Sequence, residues 1–173
     1  MNTGGFVQIA YLVEDVHQSA EYWARVHGAG PFVVMENIPL QEVVYRDQPG
    51  SLDHSSAYGQ FGPMMLELVQ QNCDAPSAFK EMYAPGQYGL HHMAAFAPDL
   101  EASLAEHAQQ GEPLAMRARA GDMPFAFVDT RERLGHMTEL YQDGELIRGF
   151  YALVAAAANE HPGEVFFQLP GST

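Results

Sequence analysis

Four polar side chains interrupt apolar runs in this sequence, and their types are those of a cation site. Gln8 lies in Phe-Val-Gln-Ile-Ala-Tyr-Leu-Val and Glu67 in Met-Met-Leu-Glu-Leu-Val. His92 lies in Leu-His-His-Met-Ala-Ala-Phe and Glu139 in His-Met-Thr-Glu-Leu-Tyr. A buried, ionised carboxylate costs several kcal/mol unless it is paired or bound to metal. Two of them need compensating cations, and no lysine or arginine lies in these segments. One divalent ion would neutralise both. One imidazole nitrogen, two carboxylates and an amide oxygen form a plausible first shell for Zn, Ni, Co, Mn or Fe(II). The plain alternative is four half-exposed residues on an open sheet.

His92 has a histidine neighbour, His91. Successive strand side chains point to opposite faces, so the two should have different roles. His92 shares the face of Gln8 and is the ligand candidate. His91 is expected to be a hydrogen-bonded packing residue.

The elements that carry these residues repeat. Gln8-Ile-Ala-Tyr-Leu-Val-Glu-Asp-Val16 aligns without a gap on His92-Met-Ala-Ala-Phe-Ala-Pro-Asp-Leu100. Each half is an apolar strand ending at an aspartate that can cap a helix. Val16, Ala20 and Trp23 then make one apolar stripe, closed by Gly28; Leu100, Leu104 and Ala108 make the other, closed by Gly111. Leu66-Glu-Leu-Val-Gln70 is echoed by Thr138-Glu-Leu-Tyr-Gln142. Gln8 and His92 are therefore one equivalent pair, and Glu67 and Glu139 the other. If the halves pack about a pseudo-twofold axis, all four can meet at one point.

The chain reads as two β-α-β-β-β modules, residues 4–72 and 87–144, joined by a linker at 73–86. A C-terminal helix over residues 147–159 and an irregular tail make up most of 145–173. The other strands are expected near 32–36, 52–60, 114–119 and 124–129. A short helix is expected from Asp74.

Composition narrows the class. The 173 residues carry 8 Lys and Arg against 22 Asp and Glu, a net charge of −14. That balance disfavours nucleic acid and anionic membranes as partners. No run approaches the roughly 18 apolar residues of a membrane helix, and the first residues have no basic leader region. The single cysteine, Cys73, leaves no internal disulfide. A cytoplasmic location is expected.

At these residues the sequence resembles the vicinal oxygen chelate superfamily, which includes glyoxalase I, methylmalonyl-CoA epimerase, extradiol dioxygenases and bleomycin resistance proteins. Gly89-Leu-His-His-Met-Ala is similar to epimerase-like members. Phe127-Val-Asp-Thr-Arg and Leu134-Gly-His-Met-Thr-Glu-Leu are similar to glyoxalase-like ones. The resemblance implies an α+β fold, two βαβββ modules forming a curved mixed sheet with helices outside. It implies the metal set Gln8, Glu67, His92 and Glu139, which resembles that of glyoxalase I. Epimerases more often carry His where Gln8 stands, and extradiol dioxygenases use two histidines and one carboxylate.

The chemistry implied is Lewis-acid stabilisation of an enediolate or enolate of a small oxygenated substrate, with Glu67 or Glu139 moving the proton. The expected activity is that of a metal-dependent lyase or isomerase. His54, Tyr58 and Tyr141 are candidates for substrate contact, with His136 a further one. A homodimer is expected by analogy. The competing readings are a non-catalytic small-molecule binder of the same fold and a metal-dependent dioxygenase.

Overall fold

A computed structural model describes residues 5–169. Residue 4, the expected start of the first module, and residues 170–173 of the expected tail lie outside the described residues. The strands are β1 (Gln8–Leu12), β2 (Phe32–Met35), β3 (Leu40–Tyr45), β4 (Gln48–Pro49), β5 (His54–Phe61), β6 (Met64–Gln71), β7 (Gly89–Ala97), β8 (Leu114–Ala120), β9 (Met123–Val128) and β10 (Met137–Gln142). The helices are α1 (Val16–His27), α2 (Leu100–Gln109), α3 (Arg131–Leu134) and α4 (Glu145–Glu160). All ten strands form one curled mixed sheet in the order β2-β5-β6-β1-β7-β10-β9-β8-β3-β4. The fold is α+β.

The repeat is visible in the hydrogen-bond register. β1 pairs parallel to β6 with Ala10 opposite Glu67, and β7 pairs parallel to β10 with Ala94 opposite Glu139. These are the residues that the two sequence alignments equate. β1 and β7 run antiparallel at the junction. The helix starts repeat as well. Asp15 accepts from Gln18 N at 2.8 Å and Asp99 from Ala102 N at 3.0 Å. Gln70 caps Val16 N at 3.1 Å, and its counterpart Gln142 caps Leu100 N at 3.0 Å. Each half thus satisfies the orphan donors of its helix in the same way.

One segment breaks the symmetry. β3 and β4, which sequence reasoning did not anticipate, lie between β2 and β5 in the chain but join the far edge of the sheet, against β8. Their sequence, Leu40-Gln-Glu-Val-Val-Tyr45, is half-exposed and lacks strict alternation. The strand also bulges between Gln41 and Val44, where Glu42 takes a positive φ. The helix expected from Asp74 is only a 3-10 turn at Phe79–Glu81.

Core clusters lie on both faces of the sheet. On the outside, Val16 and Ala20 of α1 pack on Leu66 and Leu68, and Leu100 of α2 packs on Ala126 and Leu140. Close packing there fixes Gly59, because a Cβ would sit 2.7 Å from the Phe32 ring and 2.9 Å from Gly30 Cα. On the inside, Met116, Phe125, Phe127, Met137 and Phe79 fill the concavity. α4 closes it: Val154 packs on Val33 and Met65, and Phe150 meets Tyr58 edge-on at 5.1 Å. The tail covers the free side of β2, where Phe32 N donates to Val165 O at 2.8 Å.

Candidate metal centre

The four central strands, β6-β1-β7-β10, each contribute one of the polar residues singled out in the sequence. Gln8, Glu67, His92 and Glu139 are all buried, none more than 4% exposed. That rules out the alternative of half-exposed residues on an open face. Ligand atoms of Glu67, His92 and Glu139 lie within 4.8 Å of one another. Gln8 stands beside them: its Nε2 donates to Glu67 Oε2 at 2.6 Å, and its Oε1 accepts from Tyr151 of α4 at 2.5 Å.

His91 does not sit apart from this centre. The β1–β7 register shifts so that Ala10 pairs with His92 and Tyr11 with Leu90, which leaves His91 as the extra residue of a β-bulge. A bulge re-aims side chains and breaks strict alternation. His91 Nδ1 consequently lies 2.9 Å from His92 Nδ1, and His91 Nε2 lies 2.9 Å from Ala78 O. His91 is a buried, hydrogen-bonded packing residue, as its sequence suggested, but it also holds the ligand candidate.

That chain of contacts fixes tautomers. A carbonyl only accepts, so His91 Nε2 carries a proton for Ala78 O. Burial, aided by the neighbouring His92 charge, pushes the His91 pKa down to about 3. The ring is neutral and its Nδ1 is an acceptor. His92 must then donate from Nδ1, and its Nε2 faces the two carboxylates.

His92 Nε2 lies 3.1 Å from Glu139 Oε2 and 3.4 Å from Glu67 Oε2. Neither contact is aligned as a hydrogen bond, and both His92 Nε2 and Glu139 Oε2 lack a hydrogen-bond partner. Orphaned, buried polar atoms converging on one point are what a shared cation would satisfy. Without one, the imidazole serves. Burial opposes its charging, but Glu139 and Glu67 raise the His92 pKa to about 9. Burial also opposes Glu67's charge, yet the His92 ring outweighs it and holds that carboxyl below its usual range. Glu139 goes the other way: burial, with Glu67 adding repulsion, lifts it above the usual range. The metal-free pair is therefore unequal: Glu67 is the more readily ionised of the two and Glu139 the more readily protonated. Neither Arg117 nor Arg119 reaches the site; they pair with Glu101 and Asp122 on the exterior.

The profile of the glyoxalase/bleomycin resistance protein/dioxygenase superfamily matches residues 7–127, well over half of the chain. The chain belongs to this superfamily. Solved structures with the same fold include methylmalonyl-CoA epimerase from Mycobacterium tuberculosis. It is 15% identical at a TM-score of 0.56, over 84% of this chain and 91% of that one. A hypothetical protein from Bacillus halodurans is 18% identical at 0.60, over 82% and 95%. A Streptomyces coelicolor methylmalonyl-CoA epimerase variant, in complex with 2-nitronate-propionyl-CoA, is 20% identical at 0.54, over 81% and 97%. No curated protein matches the sequence. Likeness at such identity shows the superfamily fold and no more.

The cup of this superfamily member contains a small chamber of about 40 Å³ over the carboxylates. Glu67, Glu139, His54, Tyr58 and Tyr141 line it, so the three substrate candidates are beside the acidic pair. His54 Nδ1 is buried there without a hydrogen-bond partner, and burial lowers the His54 pKa. Burial pushes the Tyr58 and Tyr141 hydroxyls well above their ordinary pKa, so both are neutral donors. His136 is not brought in; its Nδ1 meets Met137 O at 2.7 Å, and it lines neither this chamber nor the one beyond it. Larger hollows, such as one of about 380 Å³ between residues 12–14 and 83–88, involve none of these residues.

Tyr151 and Phe127 were missed by sequence reasoning. Phe127 is a buried wall whose ring lies 5.0 Å from that of His92. The apolar stripe of Ile147, Phe150, Tyr151 and Val154 marks α4 as a packing helix. Nothing in it says which surface the helix covers.

Proposed function

We propose that the chain is a metal-dependent lyase or isomerase of the glyoxalase or epimerase type, acting on a small oxygenated substrate. The observation that carries this reading is the unequal acidic pair converging with an orphaned imidazole nitrogen. Glu67, His92 and Glu139 would hold a divalent ion, with Gln8 as a fourth ligand once its Oε1 leaves Tyr151. Zn, Ni, Co, Mn and Fe all suit such a donor set. When bound, the ion would polarise adjacent substrate oxygens and acidify the neighbouring C–H.

The chain's own residues supply the rest. Burial makes Glu139 the more basic of the two carboxylates, which suits it to accept the proton. Glu67, tied to Gln8 and held ionised, suits an anchoring role first and proton transfer second. Tyr58 and Tyr141 offer hydroxyl donors to substrate oxygens, and neutral His54 can accept or relay a proton. Phe79, Phe125 and Phe127 keep bulk water from the chamber.

The test is solvent-deuterium exchange into 2-hydroxyketones and 2-oxoacids by the metal-loaded protein, followed by NMR. Exchange at the carbon beside the carbonyl, lost in Glu139→Gln, supports the reading. Tight binding of such compounds with no exchange favours the binder instead. We also propose a homodimer in solution, since paired-module sheets of this kind leave surfaces that self-associate. Among the described residues no helix is long and apolar enough to cross a membrane.

A further inference from the structure

The small chamber over the carboxylates adjoins another. It shares Ile38, Tyr58, Ala120, Met123 and Tyr141 with a second chamber of about 200 Å³. Met35 of β2 and the first turns of α4, with Leu146, Ile147 and Phe150, complete the outer wall. No Lys, Arg, Asp, Glu or His lines this outer space. Its only polar side-chain atoms are tyrosine hydroxyls, and that of Tyr151 is already engaged by Gln8. At the rim Leu146 is 64% exposed, an aliphatic side chain left open to water at the mouth of an apolar hollow.

We infer that the outer chamber is a substrate subsite for an uncharged, apolar group joined to the oxygenated head that the carboxylate site holds. The rest follows from size and charge. A cavity of about 150 Å³ accommodates benzene, so this space takes one aromatic ring with a short alkyl substituent, or a branched alkyl of similar bulk. A polyanionic carrier is disfavoured twice over. No cationic side chain lines either chamber, and the chain's net charge is −14. Substrates whose distal part is a nucleotide or a charged peptide thioester therefore find no recognition here, whatever the fold's other members use. Specificity resides in the residues that β2 and α4 add: Met35, Leu146 and Phe150.

This inference rests on the proposed metal-centred reading for where the oxygenated head sits, and the experiment separates the two. Zinc-loaded and zinc-free protein are titrated by calorimetry with catechol, 4-tert-butylcatechol and protocatechuate. The native chain and Met35→Trp, which fills the outer chamber from its rim, are compared. The tert-butyl group should tighten binding by at least about tenfold over catechol, as burial of several methyl groups implies. The carboxylate of protocatechuate should weaken it. Met35→Trp should abolish the tert-butyl gain, weakening 4-tert-butylcatechol by more than it weakens catechol. Equal affinities for the two catechols, or a gain that survives Met35→Trp, overturns the subsite. If catechol binding shows no dependence on zinc, the metal reading fails, and 4-tert-butylphenol then decides the subsite by itself. Saturation-transfer NMR on the zinc-free chain should show it bound to the native protein and not to Met35→Trp; no binding to the native protein overturns the proposal.

Discussion

Removing one carboxylate at a time should expose the inequality of the acidic pair. Two buried like charges in an apolar site suggest that changing either to glutamine stabilises the metal-free fold. The imidazolium changes that expectation for Glu67. With no metal, His92 titrates at about 9 because of the carboxylates beside it, against roughly 6.5 in an unfolded chain. At pH 7 the pairing is worth about two pKa units, or roughly 3 kcal/mol. Both carboxylates contribute to that shift, and Glu67 is the one held below its usual range. Glu67→Gln also leaves the Gln8 amide facing another amide. Its metal-free melting point should fall, by at most about 6–12 °C, at 2–4 °C per kcal/mol for a chain of this size. Glu139 is the carboxylate whose charge burial and repulsion from Glu67 disfavour, although it too supports the His92 charge. The two effects oppose each other, so Glu139→Gln should lower the melting point by less than Glu67→Gln does. The assay is calorimetric melting in excess chelator at pH 7 and again at about pH 9.5, where His92 is losing its proton and the Glu67→Gln deficit should shrink. If Glu139→Gln melts as low as Glu67→Gln at pH 7, the division of roles between the carboxylates is wrong.

Further outcomes follow from the same contacts. His91→Ala removes the ring that holds His92 by its Nδ1, so metal affinity should fall by about 10- to 100-fold, measured by competition with a chromophoric chelator; a variant that loses stability only would reduce His91 to packing. Because the His92 pKa is raised on folding, its stabilisation should be fully present below about pH 6.5 and be lost as pH rises through 9. Chelator-treated protein should therefore show declining denaturation midpoints over that window, and a flat midpoint would contradict the imidazolium. His91 has the opposite sign, since its neutral form is favoured on folding: stability should drop as pH falls from about 6.5 towards 3. Tyr151→Phe deletes one hydrogen bond to Gln8 and should cost about 1 kcal/mol of metal-free stability. It should cost less in metal-loaded protein, where Gln8 Oε1 is turned to the ion; an equal cost would keep Gln8 out of the ligand set.

How much could be read in the sequence varies by residue. The duplicated β-α units and the four central polar positions were legible because the repeat places them at matching registers, Ala10 opposite Glu67 and Ala94 opposite Glu139. The caps Asp15 and Asp99 announced both helices. The His91–His92 contact was not legible. Period-two alternation assigns the rings to opposite faces, and the bulge that brings them together arises from pairing with β1, not from a local signal. β3 and β4 were missed because an edge strand half-open to water carries no alternating pattern. The outer chamber was equally hidden. Met35, Met123 and Phe150 are ordinary apolar residues until α4 folds across the cup, and helix docking depends on the tertiary surface rather than on helix periodicity.

Metal content is the most direct measurement of the central claim. Protein purified without chelator, and apo-protein titrated with Zn, Mn and Ni, should bind about one divalent ion per chain with release of a proton from His92. His92→Ala and the double variant Glu67→Gln, Glu139→Gln should bind none at the same concentrations while remaining folded. Native protein that stays free of transition metal under every loading condition, or His92→Ala that retains a full complement, would contradict the account.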